Sequence, residues 1–289
     1  KLKSVLEKTN ILIEALPYIR NFYGKTFIIK YGGSAQIKQN LKKAFAQDIV
    51  LLNYIGIHPV IVHGGGPKIS STMEKLGKKP KFIQGQRFTD RETMDIVEMV
   101  LGGLINKEIV SLINSHGGKA VGLSGKDGGL IKAKKKLLRA STEKGKRKTI
   151  DIGFVGDVTG VDTRILMSLE KEGFIPVISP IGISQEGETL NINADSVAAF
   201  IASALKAAKF ILLTDVPGVK DRKGRIIPTL TLQQIKKLTK EGTIAGGMLP
   251  KVQACLEAIR GAVLKTHIID GRVPHCLLLE IFTKRGIGT

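Results

Sequence analysis

Two short apolar runs, Phe27-Ile28-Ile29-Lys30 and Val60-Ile61-Val62-His63, each break into a glycine-rich turn, Gly32-Gly33-Ser34 after the first and Gly64-Gly65-Gly66 after the second. A helical-looking segment separates them. At the carboxyl ends of neighbouring parallel strands, such turns bring bare backbone N–H groups and a helix N-terminus together, an arrangement that favours anionic phosphoryl oxygens. A tight turn also needs glycine for steric reasons alone, so either turn by itself is compatible with a purely structural role.

The common phosphate motifs are missing. A Walker loop ending in Gly24-Lys25-Thr26 would need glycine where Ile19 stands, and a dinucleotide fingerprint starting at Gly64 would need glycine where Ile69 stands. The pattern along the chain alternates: helix over 4–22, strand 26–31, helix 36–55, strand 59–63, helix 67–76, then a long helix over 91–115 interrupted by Gly102-Gly103. Strand 120–123, antiparallel hairpin material over 130–158, helix 162–172 and strand 175–179 follow. Helix 195–207, strand 209–214, hairpin 219–227, helices 231–240 and 248–263 and strand 266–270 complete the order. This predicts an α/β protein with a mainly parallel central sheet covered by helices on both faces. The expected organisation is an N-terminal helix over 1–22, a lobe over 23–195 and a second lobe over 196–289.

No apolar stretch approaches the roughly 20 residues that span a bilayer as a helix, and residues 1–10 contain no apolar signal-like core. Cys255 and Cys276 have neither metal-ligand spacing nor the density of a disulfide scaffold, which makes a reducing compartment the expectation. A net charge of +20 raises the question of nucleic acid. Much of the excess lies between Lys132 and Lys148, where only Glu143 opposes the cations, as in a solvated hairpin. With four Tyr, no Trp and no recognisable nucleic-acid module, base stacking has few platforms, so a nucleic-acid role is not expected.

Polar residues gather at element ends. Lys30 closes an apolar strand beside the first glycine turn, where phosphoryl charge would develop. Arg87, on a loop before the long helix, has a planar fork able to hold a carboxylate, although a structural ion pair is the plainer reading. Leu190-Asn191-Ile192-Asn193-Ala194-Asp195 leads into a helix, with Asp195 expected as its N-cap. Gly246-Gly247-Met248-Leu249-Pro250-Lys251 opens another helix with a lysine in its first turn. A cation is disfavoured there unless an anion is the intended neighbour.

In order along the chain, Lys30-Tyr31-Gly32-Gly33, Val62-His63-Gly64-Gly65-Gly66-Pro67, Gly85-Gln86-Arg87-Phe88-Thr89, Asn191-Ile192-Asn193-Ala194-Asp195, Leu213-Thr214-Asp215-Val216-Pro217-Gly218 and Gly246-Gly247-Met248-Leu249-Pro250-Lys251 resemble the acetylglutamate kinases of the amino acid kinase family. The likeness covers nearly the whole chain. It implies the amino acid kinase fold and transfer of the γ-phosphoryl of ATP, with Mg2+, to the side-chain carboxylate of N-acetylglutamate in arginine synthesis. By the matching motifs, Lys30 and Lys251 would be catalytic cations that Asp195 orients. Gly33, Gly65, Gly66, Arg87, Asn191 and Asn193 would bind the acidic substrate, and Gly32, Thr214, Asp215, Gly218, Gly247 and Met248 the nucleotide. A sibling kinase on another carboxylate or carbamate is the alternative; a non-catalytic regulatory or nucleic-acid-binding relative would have no need of both lysines.

The resemblance extends to the arginine-sensitive hexameric type found in cyanobacteria and plastids, which implies a cytoplasmic or plastid-stromal protein and the PII signalling protein as a partner. Val5, Thr9, Leu12, Leu16 and Ile19 recur at helical spacing, and Pro17 is expected to kink the helix they share. In such relatives that helix interlaces three dimers, each paired across the long helix over 91–115. Tyr18, His267, Glu280 and Gly286 match the arginine effector site. Two features depart from the pattern: Gln36 stands where related chains often carry Met, and the hairpin over 132–148 is unusually basic.

Overall fold

A computed structural model describes residues 2–141 and 147–289, with side chains placed outside 1–9, 34 and 140–148. Its centre is a six-stranded parallel sheet built from β1 (Thr26–Tyr31), β2 (His58–His63), β5 (Ala120–Ser124), β8 (Ile175–Ser179), β11 (Lys209–Thr214) and β12 (Lys265–Asp270). The strand order is β12-β11-β1-β2-β8-β5. Strands covered on both faces read as continuous apolar runs, which is why 27–29, 60–62 and 210–213 are so uniformly hydrophobic. The sheet is continuous across the expected lobe boundary, because β1 pairs with β11 on one side and β2 on the other.

Alternation along β1 assigns the two faces. Phe27, Ile29 and Tyr31 point into a core shared with α2 (Gln39–Tyr54), α5 (Asn106–Ser115) and α10 (Cys276–Ile281). Ile28 points the other way, into a core shared with α6 (Arg164–Lys171), α7 (Ala194–Ala204) and α9 (Met248–Arg260). A period of two places Lys30 on the Ile28 side and His63 on the side opposite Val60 and Val62. Both positions matter for the site.

The basic hairpin, β6 (Ile131–Ser141) and β7 (Arg147–Val161), closes into a four-stranded barrel with β9 (Ile181–Ile183) and β10 (Thr189–Ile192). The barrel was not anticipated; residues 142–146, at the hairpin tip, lie outside the described residues. A small hairpin, β3 (Phe82–Ile83) with β4 (Gln86–Arg87), stands before the long helix and was also missed. That helix is α4 (Arg91–Glu98), a π-wound segment over Met99–Ile105, and α5. The expected interruption at Gly102-Gly103 is thus a change of winding rather than a break. In place of a hairpin over 219–227 there is one bridge, Lys220 to Ile226, around a turn, and α8 (Leu232–Lys240) follows.

The N-terminal helix α1 (Leu2–Phe22) runs through Pro17. The side chains of Val5 and Thr9 lie outside those described, but Leu12 is 72% and Leu16 47% exposed, so this stretch of the apolar face is not buried on its own subunit. Tyr18 does dock, edge-on to Phe282 at 6.3 Å between centroids. Helices α7 and α4 both have side-chain caps. Asp195, expected to cap α7, does not: Asn193 is the N-cap and accepts from the N–H groups of Asp195 and Ser196 at 2.9 and 3.1 Å. Asn193 is favoured because its backbone is extended, as a cap residue requires, whereas Asp195 already sits inside the helix.

Asp90 caps α4, accepting from Thr93 N–H at 2.8 Å and from Lys78 Nζ at 2.9 Å. The Thr93 bond, reinforced by Lys78, holds its carboxyl down at about 2, below the ordinary 3.8. A depressed carboxylate contributes its full stability above the unfolded value and loses it as the folded group is protonated. Asp90→Ala should therefore cost about 1 kcal/mol near neutral pH. In denaturant titrations that deficit should shrink as the pH falls from about 4 toward 2; a deficit independent of pH would rule out the charged cap as its source.

Candidate active site

The site is assembled where β1 and β2 end. Lys30 extends toward α7, and its Nζ lies 2.9 Å from Asp195 Oδ1, with both side chains largely buried. The contact is an ion pair rather than an aligned hydrogen bond, so the carboxylate keeps bonding capacity. Two rules of local structure produce it: the strand period puts Lys30 on the α7 face, and the Asn193 cap leaves the Asp195 carboxylate free of the helix backbone. A carboxylate in the first turn of a helix is also favoured by the helix dipole. Gly32 makes room for the ammonium, since a Cβ there would stand 2.6 Å from Lys30 Nζ.

Gly33 is held at φ +69°, a region that favours glycine, and a Cβ would collide with the Asp215 carboxylate at 2.6 Å. This contact brings the turn after β1 against the turn after β11. Across from it, Gly65 N-caps α3 (Gly66–Lys75), and a Cβ there would meet Leu101 and Ile105 of the π-wound segment at 2.5 Å. Beneath the turn lies His63, wholly buried, whose Nε2 approaches Asn106 Nδ2 at 3.3 Å; burial lowers its pKa to about 4, so the ring is neutral.

Arg87 is 8% exposed. Its guanidinium donates to Gly66 O at 3.0 Å, to Ser70 Oγ at 2.8 Å and toward Met73 Sδ at 3.3 Å, and lies over the Phe82 ring at 4.8 Å. Burial lowers its pKa, yet a guanidinium starts far above neutrality and remains charged. Every partner among the described residues is neutral, so the plainer expectation of a structural ion pair does not hold. Arg87 opens onto a cleft of about 780 Å³ that Asn191, Asn193, Gly246 and Gly247 also line. Asn191 is steadied by a 3.4 Å contact to Thr89 Oγ1. Lys136, on the basic hairpin and paired with Asp157 at 2.7 Å, reaches the same cleft.

The remaining positions are less tightly gathered. Lys251 does not meet Asp195; its Nζ turns back to Gly247 O at 3.4 Å, so Asp195 orients Lys30 alone in this arrangement. Thr214 closes β11 with a local turn, its hydroxyl bonded to both the N–H and C=O of Val216 at 3.0 Å. Gly218 packs on the chain end, where a Cβ would stand 2.6 Å from Thr289 Oγ1. Met248 begins α9 and packs beside the α7/α9 core.

A second cavity, of about 570 Å³, brings Tyr18, His267, Glu280 and Gly286 together from both ends of the chain. His267 Nδ1 lies 2.7 Å from Glu280 Oε1, and Glu280 Oε2 accepts from the N–H groups of Ile287 and Gly288. Burial pushes the Glu280 pKa up, but the His267 contact and these N–H donors outweigh it and hold the carboxyl below its usual value. Sequence reasoning missed Lys209, whose Nζ is 3.0 Å from His267 Nε2. Burial, with Lys265 nearby, lowers Lys209 to about 8. The sequence signal is a lysine opening an otherwise apolar strand, at the end opposite to that of Lys30.

A family model for the amino acid kinase family matches residues 25–270. The chain is 57% identical to an acetylglutamate kinase of Geotalea uraniireducens over 99% of this chain and 98% of that one. It is 56% identical to an acetylglutamate kinase of a Sulfurihydrogenibium species over 100% and 99%. Among solved structures it is similar to an N-acetylglutamate synthase from Neisseria gonorrhoeae complexed with coenzyme A and N-acetylglutamate. That match has a TM-score of 0.82 and 26% identity and covers 97% of this chain and 62% of the longer one. A Giardia carbamate kinase shares the fold at a TM-score of 0.64 and 18% identity, with 88% and 96% covered. On motif order, sheet topology and these matches together, the chain belongs to the amino acid kinase family and groups with its acetylglutamate kinases.

Proposed function

We propose that the enzyme transfers the γ-phosphoryl of ATP to the side-chain carboxylate of N-acetylglutamate, and that arginine inhibits it from the second cavity. The observation that carries the substrate assignment is Arg87. A buried guanidinium with only neutral partners is costly unless an anion joins it, and its fork suits a carboxylate. Asn191 would add a neutral donor in the same cleft.

In the reaction, a substrate carboxylate oxygen forms the new P–O bond while the bond from the γ-phosphorus to the bridging oxygen of ADP breaks. The nucleophile is already ionised, so no general base is required, and the demands are positioning and charge neutralisation. Lys30, held by Asp195, would neutralise the transferring group, and the Gly33 and Gly65 backbone N–H groups would bind its oxygens. Lys251 would complete the set by swinging from Gly247 O once the nucleotide is bound. Thr214, Asp215, Gly218, Gly247 and Met248 would form the nucleotide side, in the lobe over 196–289. Mg2+ would enter on the phosphates of ATP, whose oxygens suit this hard cation.

Regulation follows from the second cavity. Glu280 offers the carboxylate that a guanidinium ligand needs, and Tyr18 on α1 would couple its occupancy to the oligomer. The exposed Leu12 and Leu16 favour burial of α1 between dimers in a ring of three, while Met99 and Leu104, also exposed, lie on the face where subunits would pair. The PII signalling protein remains a proposed partner, and the cytoplasm or a plastid stroma the proposed compartment.

Four variants test this reading. Lys30→Ala should lower kcat by roughly a hundredfold or more with smaller changes in KM; near-normal turnover would remove Lys30 from the chemistry. Arg87→Lys should raise the KM for acetylglutamate about tenfold or more while sparing that for ATP, because an ammonium lacks the fork. An unchanged KM would place Arg87 outside the substrate site. Removing residues 1–22 should leave an active dimer without cooperative arginine inhibition, and Glu280→Gln should keep kcat but lose arginine sensitivity. A truncated protein that stays hexameric and sensitive would overturn the regulatory proposal.

A further inference from the structure

Gln36 ends the single 3₁₀ turn, Gly33–Gln36, that follows β1. Its Nε2 lies 3.0 Å from Tyr31 O and 3.2 Å from Gly64 O. Both neighbours are carbonyl oxygens, which only accept, so the amide must present its NH2 group to them, and that group has one hydrogen for each. One side chain therefore joins the turn after β1 to the turn after β2. These carbonyls are bonded from other sides too: Tyr31 O accepts from Gly64 N–H at 2.9 Å, and Gly64 O lies 3.0 Å from His63 Nδ1.

A peptide unit is planar and trans, so its N–H points opposite to its C=O. Fixing Tyr31 O fixes the direction of the Gly32 N–H, and fixing Gly64 O fixes that of the Gly65 N–H. Glycine is the residue least able to hold such directions unaided, because its backbone has the widest choice of conformations. Preorganised donors are effective because they need not reorganise as charge develops.

We propose that Gln36 is a positioning residue for phosphoryl transfer, its carboxamide stapling the two glycine turns through Tyr31 O and Gly64 O and so aiming the Gly65 N–H at the transferring phosphoryl and fixing the Gly32 peptide that leads into the Gly33 N–H. The inference rests on the phosphoryl site proposed above. Gln36 itself touches neither substrate; it acts through the two peptides. A methionine at this position would fill similar space and supply no donor.

The test compares steady-state kinetics with ATP and acetylglutamate, and thermal denaturation, for the wild type, Gln36→Met, Gln36→Glu and Lys30→Ala. Gln36→Met should lower kcat about tenfold or more, with both KM values within about twofold and the melting temperature held. Gln36→Glu should be worse at about pH 8, where a carboxylate faces two carbonyl oxygens, and should recover part of its kcat toward about pH 6 as it gains a proton to donate. The wild type should show no such recovery. Wild-type kcat in Gln36→Met overturns the proposal. So does a deficit matched by lost thermal stability and shared by Gln36→Glu at every pH. Lys30→Ala separates the two levels: near-normal turnover there fails the phosphoryl-site reading, whereas an inactive Lys30→Ala beside a fully active Gln36→Met fails the staple alone.

Discussion

The ion pair between Lys30 and Asp195 is the constraint on which the arrangement of the site depends. Leaving either charge alone in a largely desolvated place would cost several kcal/mol, so β1 and α7 must meet in one register. That register requires Lys30 on the Ile28 face of the sheet, glycine at position 32 beside the ammonium, and a helix cap other than Asp195. Strand period, turn composition and capping thus converge on a single contact, and the glycine turns and the Arg87 cleft are placed around it.

The parts of this arrangement legible in the sequence are those governed by local rules. Apolar runs at 27–29 and 60–62 announce buried parallel strands, and the turns after them announce backbone N–H groups in need of a partner. Arg87 could be named but not assigned, since an ion pair and a ligand site read alike in a sequence; only the fold shows that its described partners are neutral. The N-cap of α7 was misassigned because Asn193 and Asp195 are both good caps, and the choice rests on which residue leaves the helical backbone. The barrel was not legible, because its closure pairs β7 with β10 and β6 with β9 across long sequence separations. Lys209 carries only the weak sequence signal of a lysine opening an apolar strand, since His267, its partner, comes from β12, and Glu280, bonded to His267, from α10.

The large positive charge also takes on a different meaning in three dimensions. Lys135 and Lys136 are paired with Asp151 and Asp157 across the hairpin, so part of the excess serves the barrel strands themselves. Exposed pairs of this kind contribute little to stability. Lys136 nevertheless brings positive potential to the cleft that holds Arg87, where an acidic substrate and a nucleotide would meet. The charge pattern therefore fits a cleft for small anionic ligands.

The most direct measurement of the central claim is a crystal structure with ADP, magnesium, aluminium fluoride and acetylglutamate. The account predicts the fluoride group between the Gly33 and Gly65 N–H groups, with Lys30 Nζ and a repositioned Lys251 Nζ within hydrogen-bond reach and the acetylglutamate carboxylate on Arg87. A fluoride group bound away from both glycine turns, or an acetylglutamate that leaves Arg87 without a carboxylate, would contradict it.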